Sequence, residues 1–247
     1  MSDERRVAIV SDAGHYVGPE LARHLAARGH DLVLGDPNPV LVAELEATGA
    51  TVEAVAGVRN LSRPESAPAL VAAAVGRFGH LDAAVAFSGQ IVTGRFTASS
   101  LEDLRSVISS CLEAPYHFLK AAVAPMVAAG GGQILLITSA AGARPTPGAP
   151  LYSSARAGAT MMAKNVAAEV ARNGVQVNAV GTNFMDFPEF LAASGADDSV
   201  VRARIEAQVP LGRLGTMAEF ASFCMPFLDG SSRFTTGQFV AYAGGWV

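Results

Sequence analysis

Short apolar segments alternate with longer helical segments along the whole chain, and this alternation limits the possible folds more than any other feature. "LDAAVAF" at 81–87 is apolar almost throughout, which is typical of a strand covered by helices on both faces. The predicted strands lie at 6–11, 32–34, 51–55, 81–87, 132–139, 175–180 and 237–245, and the predicted helices lie at about 18–28, 40–48, 64–78, 101–129 (with a kink at Pro115) and 150–172. Strands and helices that alternate in this way form a parallel sheet. The sequence therefore predicts one α/β domain over 1–247, in which a doubly wound parallel sheet of about seven strands carries helices on both faces.

The composition excludes several classes of protein. Half of the 247 residues are hydrophobic and 16% are charged, which favours a large buried core over disorder. The formal net charge of −4 gives no electrostatic reason to expect nucleic acid or an anionic membrane as a partner. Cys111 and Cys224 are too few for a disulfide framework and are expected to be buried. With no recognisable signal peptide, no apolar run long enough to span a bilayer and no metal-ligand spacing, the sequence predicts a cytoplasmic protein without a metal site.

Three residues carry the strongest chemical signal. Ser139 ends the fifth predicted strand, and Tyr152 and Arg156 lie four residues apart on one face of the next helix. Ligands bind outside the carboxyl ends of the strands in sheets of this kind. A cation close to a phenol lowers the pKa of the phenol by about 1–3 units. Ser139, Tyr152 and Arg156 are therefore predicted as catalytic residues, with Tyr152 as a general base.

Each of these signals also has a structural explanation. Tyr-x-x-x-Arg is common on helix surfaces, so the spacing of Tyr152 and Arg156 alone does not establish a site. Tyr16 would pack on the first helix as an ordinary loop aromatic, and Asp36 would be a turn residue. His15 is either a proton shuttle or an exposed loop histidine, the latter being favoured.

The layout resembles the short-chain dehydrogenase/reductase superfamily, a Rossmann-like family, over nearly the whole chain. Members carry a Ser followed by Tyr-x-x-x-Lys, which Ser139 and Tyr152 match, whereas Arg156 replaces the lysine. The glycine-rich cofactor loop Thr-Gly-x-x-x-Gly-x-Gly reads "SDAGHYVG" at 11–18, with only the last glycine in register. The Asn-Ala-Gly signature reads "FSG" at 87–89, and the Pro-Gly pair after the sixth strand reads "TN" at 182–183.

These departures together resemble the halohydrin dehalogenases of the same superfamily. That resemblance implies conversion of vicinal haloalcohols to epoxides plus halide, epoxide opening by small anions (azide, cyanide, nitrite, halide), no cofactor, and a homotetramer that pairs the long helices. It implies a halide pocket formed by Tyr16, Thr182, Asn183, Phe184 and Met185, in which backbone N–H groups hold the anion. It also implies a substrate pocket formed by Phe87, Ala141, Thr146, Ala149 and Phe187. The alternatives are an NAD(P)-dependent oxidoreductase with a degenerate cofactor loop and a non-catalytic protein of the same fold.

Overall fold

Seven strands form one parallel sheet in the computed structural model, which describes residues 5–87, 89 and 91–246. The strands are β1 (Arg6–Val10), β2 (His30–Gly35), β3 (Val52–Val55), β4 (Ala83–Phe87), β5 (Gly132–Ser139), β6 (Val175–Thr182) and, last in the chain, β9 (Phe239–Tyr242). The order across the sheet is β3-β2-β1-β4-β5-β6-β9, and each neighbouring pair is parallel. The short strands β7 (Met185–Asp186) and β8 (Gly215–Thr216) form a separate parallel pair. The predicted α/β sheet with about seven parallel strands is confirmed.

Helices cover both faces of this sheet. They are α1 (Gly18–Ala26), α2 (Pro39–Ala47), α3 (Ser66–Phe78), α4 (Leu101–Ile108), α5 (Ala114–Ala129), α6 (Pro150–Val170), α7 (Pro188–Ser194), α8 (Ser199–Glu206) and α9 (Met217–Cys224). One core packs α3 and α5 against the sheet around Phe118 and Met126. The other core packs α1 and α9 against the opposite face around Leu21 and Phe220. Cys111 and Cys224 are both buried, as predicted.

Several elements differ from their predicted form. Strand β2 begins two residues before its predicted start, and β9 covers only Phe239–Tyr242 of the predicted 237–245. The long helix expected over 101–129 is interrupted by a π-helical segment at Ser109–Glu113 rather than by a kink at Pro115. Pro115 follows this segment directly, as the second residue of α5. Strand β6 continues two residues beyond the predicted end at Val180, because Gly181 and Thr182 pair with Thr138 and Ser139 of β5.

The carboxyl ends of β1, β4, β5 and β6 converge at one edge of the sheet. The loops after these strands therefore surround a shared space, as in other doubly wound sheets. Within the described part of the chain, no helix is both long enough and apolar enough to cross a membrane.

Candidate active site

A cavity of about 460 Å³ lies at the carboxyl ends of these four strands. Every site residue predicted from the sequence lines this cavity, namely Tyr16, Phe87, Ser139, Ala141, Thr146, Ala149, Tyr152, Arg156, Thr182, Asn183, Phe184, Met185 and Phe187. Of the predicted Phe87-Ser88-Gly89 signature, Ser88 lies outside the described residues. The structure thus brings the predicted residues together, while their chemical roles remain proposals.

Ser139 is the last residue of β5 and is buried at the base of the cavity. Its hydroxyl oxygen accepts a hydrogen bond from the Ala141 N–H at 3.2 Å. The same hydroxyl lies 3.4 Å from the carbonyl oxygen of Thr182, to which it donates a long bond. These two contacts orient the side chain at the end of the strand. Because the bond to Thr182 is long, the hydroxyl can donate its hydrogen bond to a ligand instead.

Tyr152 and Arg156 lie one turn apart on α6, and both are buried. The guanidinium carbon of Arg156 is 5.1 Å from the centroid of the Tyr152 ring. Burial alone would lower the pKa of Arg156, but the Tyr152 hydroxyl and the Cys111 thiol outweigh it, and the pKa is raised. Arg156 is therefore a permanent positive charge directly beside the phenol.

Cys111 and Gly89 pack on the other side of Arg156. A Cβ atom at Gly89, which has a φ of 116°, would lie 2.4 Å from Nη2 of Arg156 and 2.7 Å from Sγ of Cys111. Only a glycine leaves room for the guanidinium at this point of the loop after β4. Cys111 belongs to the π-helical segment, which turns this thiol toward the site.

Tyr16 reaches from the loop after β1 to the end of β6. Its hydroxyl donates a hydrogen bond to Oγ1 of Thr182 at 3.0 Å. Its ring packs edge-on against Phe87 and Phe187, with centroids 5.6 and 4.7 Å away. Burial raises the pKa of Tyr16, so the phenol stays neutral and remains a donor. Tyr16 is thus more than a loop aromatic, since it connects two strand ends across the cavity.

An ion pair joins the buried Asp12, in the loop that precedes α1, to the exposed Arg59, in the loop that follows β3. Oδ2 of Asp12 is 2.9 Å from Nε of Arg59, and Oδ1 of Asp12 accepts the N–H of Gly14 at 3.1 Å. Burial raises the pKa of the Asp12 carboxyl, although Arg59 opposes this effect. Next to this pair, the Asp36 carboxylate accepts the backbone N–H groups of 57–59 at 2.6–2.9 Å. Asp36 has a φ of 45° and is a turn residue, as predicted.

In the loop after β6, one of the N–H groups predicted to hold an anion has a partner within the loop. The N–H of Phe184 donates to Oδ1 of its own neighbour Asn183 at 3.0 Å. Oγ1 of Thr182 already accepts the Tyr16 hydroxyl. Because Phe184 has a φ of 55°, its ring turns toward Trp246, with centroids 5.5 Å apart. The predicted halide-holding N–H at Phe184 is therefore used within the loop.

The remaining wall of the cavity is largely apolar. Phe87, Ile91, Phe187 and Phe190 line one side. The small residues Ala141 and Ala149 line the other side, beside Thr146 and Pro147. His15 joins this wall to α7 through a 3.0 Å contact between its Nδ1 and Oε1 of Glu189. His15 therefore contacts the helix that covers the cavity, rather than a catalytic residue.

Sequence reasoning missed several residues at this site. Arg59, Glu189 and Trp246 were not singled out, and Cys111 was predicted only as a buried residue, although each lies against a predicted site residue or its loop. Arg59 carried a usable signal, since it follows β3 at the same edge of the sheet as the other strand ends. The other three are brought into the site by long-range packing, for which the sequence offers no local spacing.

The family model described as enoyl-(acyl carrier protein) reductase matches residues 14–247. The chain belongs to the short-chain dehydrogenase/reductase superfamily. It is 33% identical to a cis-4-hydroxycyclohexanecarboxylate dehydrogenase of Sinomonas cyclohexanicum, with 98% of this chain and 96% of the relative covered. It is 31% identical to a cyclohexanol dehydrogenase of an Acinetobacter species, with 94% of this chain and 91% of the relative covered.

Members of the short-chain dehydrogenase/reductase superfamily with known structures share the fold. One is a gluconate 5-dehydrogenase from Burkholderia cenocepacia J2315, solved in complex with NADP and tartrate. The TM-score is 0.87 at 23% identity, and the match covers 98% of this chain and 95% of that chain. At this identity the likeness supports the fold alone.

These relatives correct the function predicted from the sequence. The prediction of a cofactor-independent carbon–halide lyase, a halohydrin dehalogenase, is wrong. The relatives that align with nearly the whole chain are dehydrogenases and reductases. The same comparisons favour the alternative, an oxidoreductase of the superfamily. Short motifs suggested the halide pocket, and at Phe184 the folded loop uses the predicted N–H for its own hydrogen bond.

Proposed function

We propose that this protein is an oxidoreductase that interconverts a neutral secondary alcohol and the corresponding ketone. One observation carries the proposal: two buried hydroxyls, those of Ser139 and Tyr152, lie with Arg156 in an otherwise largely apolar cavity. This arrangement can bind one substrate oxygen and exchange a proton with it. The dehydrogenases to which the chain is similar support the reaction type.

The proposed roles follow from the charges. Oxidation removes a proton and a hydride from the alcohol: Tyr152 would take the proton, and an external two-electron acceptor, tested below as NAD or NADP, would take the hydride. In the reverse direction the reduced acceptor would supply the hydride and Tyr152 would return the proton to the oxygen. Arg156 stabilises the phenolate that forms, because its positive charge lies 5.1 Å from the Tyr152 ring and is shielded from solvent. Ser139 donates a hydrogen bond to the same substrate oxygen and holds it beside Tyr152.

The shape and polarity of the cavity favour a ring without charge. Phe87, Ile91, Phe187 and Phe190 offer apolar contacts, and the charge of Arg156 is already placed beside Tyr152. Ala141 and Ala149 leave room for a substituent on the ring. We therefore propose cyclohexanol-like alcohols as the substrate class, in line with the names of the two relatives.

The residues at the usual cofactor cleft do not fit a nicotinamide dinucleotide in this conformation. The Asp12 carboxylate lies beside the N-terminus of α1, where a pyrophosphate would sit. The Asp36 carboxylate, which follows β2, is occupied by the N–H groups of 57–59. Tyr16 spans the cleft to Thr182. No step of the reaction is therefore derived through the cofactor.

Turnover of a cyclic alcohol tests the proposal. Purified protein is incubated with cyclohexanol or cyclohexanone and each of the four forms of NAD and NADP, while the absorbance of the reduced nicotinamide is followed. We expect turnover with at least one cofactor. Tyr152→Phe should lower kcat/KM by about 10²–10⁴-fold, the usual weight of a general acid–base group.

Tyr116→Phe is the matched control, since Tyr116 is an exposed tyrosine on α5 outside the cavity. It should leave kcat/KM unchanged. Halide release from a vicinal haloalcohol without added nicotinamide, together with no turnover of any alcohol or ketone, would contradict the proposal.

A further inference from the structure

A second cavity, of about 440 Å³, lies at the amino ends of the strands, the opposite end of the sheet from the candidate active site. Glycines at 130–132 and 174 precede β5 and β6, and they leave this space open because they carry no side chains. Most of the other side chains around the space are polar or charged, and they include Arg6, His80, Asp82, Gln133, Gln176 and Arg233. The cavity therefore differs in character from the largely apolar active site.

Arg6 begins β1 and is held at this cavity by four hydrogen bonds. Its Nε donates to Nε2 of His30 at 3.2 Å, and its Nη2 donates to Oε1 of Gln133 at 3.1 Å. Nη2 also lies 3.3–3.4 Å from two backbone carbonyl oxygens. Because Nδ1 of His30 donates to a backbone carbonyl, the imidazole accepts the Arg6 bond as a neutral group. Among the residues that the structure describes, the guanidinium of Arg6 thus has neutral acceptors and no carboxylate as direct partners.

Gly230 brings a second guanidinium group next to that of Arg6. Its N–H donates to Oε1 of Gln133 at 2.7 Å, and its carbonyl accepts a hydrogen bond from Nε of Arg233 at 3.2 Å. A Cβ atom at Gly230, which has a φ of 82°, would lie 3.0 Å from Nη1 of Arg6. Both arginines therefore contact the same residue. Burial lowers the pKa of Arg6, Asp82 opposes this effect, and the charge of Arg233 lowers the pKa further.

The carboxylate that lines the cavity already has partners. Oδ2 of Asp82 accepts the N–H of Val7 at 2.7 Å and lies 3.3 Å from Nε2 of His80. In contrast, Nη1 of Arg6 and both terminal nitrogens of Arg233 form no hydrogen bond within 5–87, 89 and 91–246. With two guanidinium groups against one carboxylate, the lining favours an anion.

We propose that this cavity binds the phosphate group of a small anion. Guanidinium groups bind phosphate through charge-assisted N–H···O bonds, and groups approaching from β1 and from the segment before β9 can reach different oxygens of one tetrahedral phosphate. A carboxylate offers only two oxygens in one plane, which a single guanidinium satisfies. The volume of about 440 Å³ also leaves room for an organic group attached to the phosphate. The site is separate from Ser139 and Tyr152 and does not depend on the proposed function.

Isothermal titration calorimetry with inorganic phosphate and with glycerol 3-phosphate tests the site, at constant ionic strength set with chloride. We expect saturable binding of at least one of the two anions to the wild type. Arg233→Gln removes the charge-assisted bonds of an exposed side chain and should raise the Kd by about 10- to 150-fold. Arg204→Gln makes the same charge change on α8, outside the cavity, and should leave the Kd unchanged. Thermal unfolding establishes that each variant is folded.

The two probes identify the source of the phosphate. Tighter binding of glycerol 3-phosphate than of inorganic phosphate would identify a phosphate ester as the ligand, and the reverse order would identify free phosphate. Absence of saturable binding to the wild type, or equal Kd values for the wild type and Arg233→Gln, would overturn the proposal. Arg59→Gln provides a further check, because binding that is lost in this variant and kept in Arg233→Gln would lie in the active-site cavity and would also overturn it.

Discussion

Gly18 sets how closely α1 approaches the end of β1. A Cβ atom there would lie 1.9 Å from the carbonyl oxygen of Asp12, which is a backbone atom with little freedom to move. We expect Gly18→Ala to lower the free energy of unfolding by at least about 2 kcal/mol, because the helix must shift away from the strand. Urea denaturation followed by circular dichroism measures the loss.

Gly76 provides the opposite case on α3. A Cβ at this position would meet no atom within 4 Å. Gly76→Ala should therefore raise the free energy of unfolding by about 0.5–1 kcal/mol through helix propensity alone. If Gly18→Ala and Gly76→Ala lowered the free energy of unfolding by similar amounts, the close approach of Gly18 to Asp12 would not explain the effect of Gly18→Ala.

At the scale of single residues, the sequence predicted those contacts that depend on local spacing. Tyr152 and Arg156 are one helical turn apart, and Ser139 ends a strand, so their convergence followed from periodicity and sheet geometry. The ion pair of Asp12 with Arg59 joins two loops that are distant in the chain, and no spacing encodes it. The hydrogen bond between Asn183 and Phe184 accompanies a positive φ at Phe184, which the amino-acid sequence alone does not predict.

At the scale of elements, the start of α9 carries a pH-dependent cap. Glu219 pairs with Arg213 and accepts the N–H and hydroxyl of Thr216, which together lower its pKa to about 2. A lowered carboxylate pKa stabilises the folded state above the unfolded pKa, and this stabilisation is lost as the pH falls through the folded pKa.

We therefore expect Glu219→Gln to lower the Tm at neutral pH. The difference in Tm between the variant and the wild type should stay constant above about pH 4.5 and shrink progressively below it. Thermal unfolding across this pH range measures the difference. Glu46→Gln, which removes an exposed carboxylate from α2, serves as the control. A Tm difference that grows with acidification would contradict the cap.

Most element positions followed from hydrophobic pattern, whereas the irregular segments did not. Strand β5 was predicted with its observed limits, because glycines precede it and a serine ends its apolar run. The break in the long helix was assigned to Pro115, but it is the π-helical segment at Ser109–Glu113. A π-helical segment is rare and has no hydrophobic period of its own from which the sequence could have predicted it.

At the scale of the whole molecule, a homotetramer remains the prediction. Leu101 of α4 and Met161 of α6 are exposed apolar residues on the helices expected to pair. Light scattering during size exclusion should give four times the chain mass of 25.4 kDa.

Met161→Glu should reduce that mass, because a carboxylate would be buried without a partner at a paired face. Val40→Glu changes an exposed valine on α2 and should leave the mass unchanged. A monomer in the wild type, or equal masses for wild type and Met161→Glu, would contradict pairing through this face.

The place of β6 in the sheet also has a consequence for how the protein is made. Residues 179–182 of β6 pair on one side with 239–242, which form the last strand along the chain. Parallel neighbouring strands cannot be joined by a tight hairpin, because the chain must cross back over the sheet between them. This edge of β6 can therefore pair only with residues that are distant in sequence. On the ribosome, Thr182 therefore gains its second neighbouring strand only after Tyr242 has left the exit tunnel. The part of the sheet on which Tyr16 rests is therefore completed only after β9 has been made, long after Tyr16 itself.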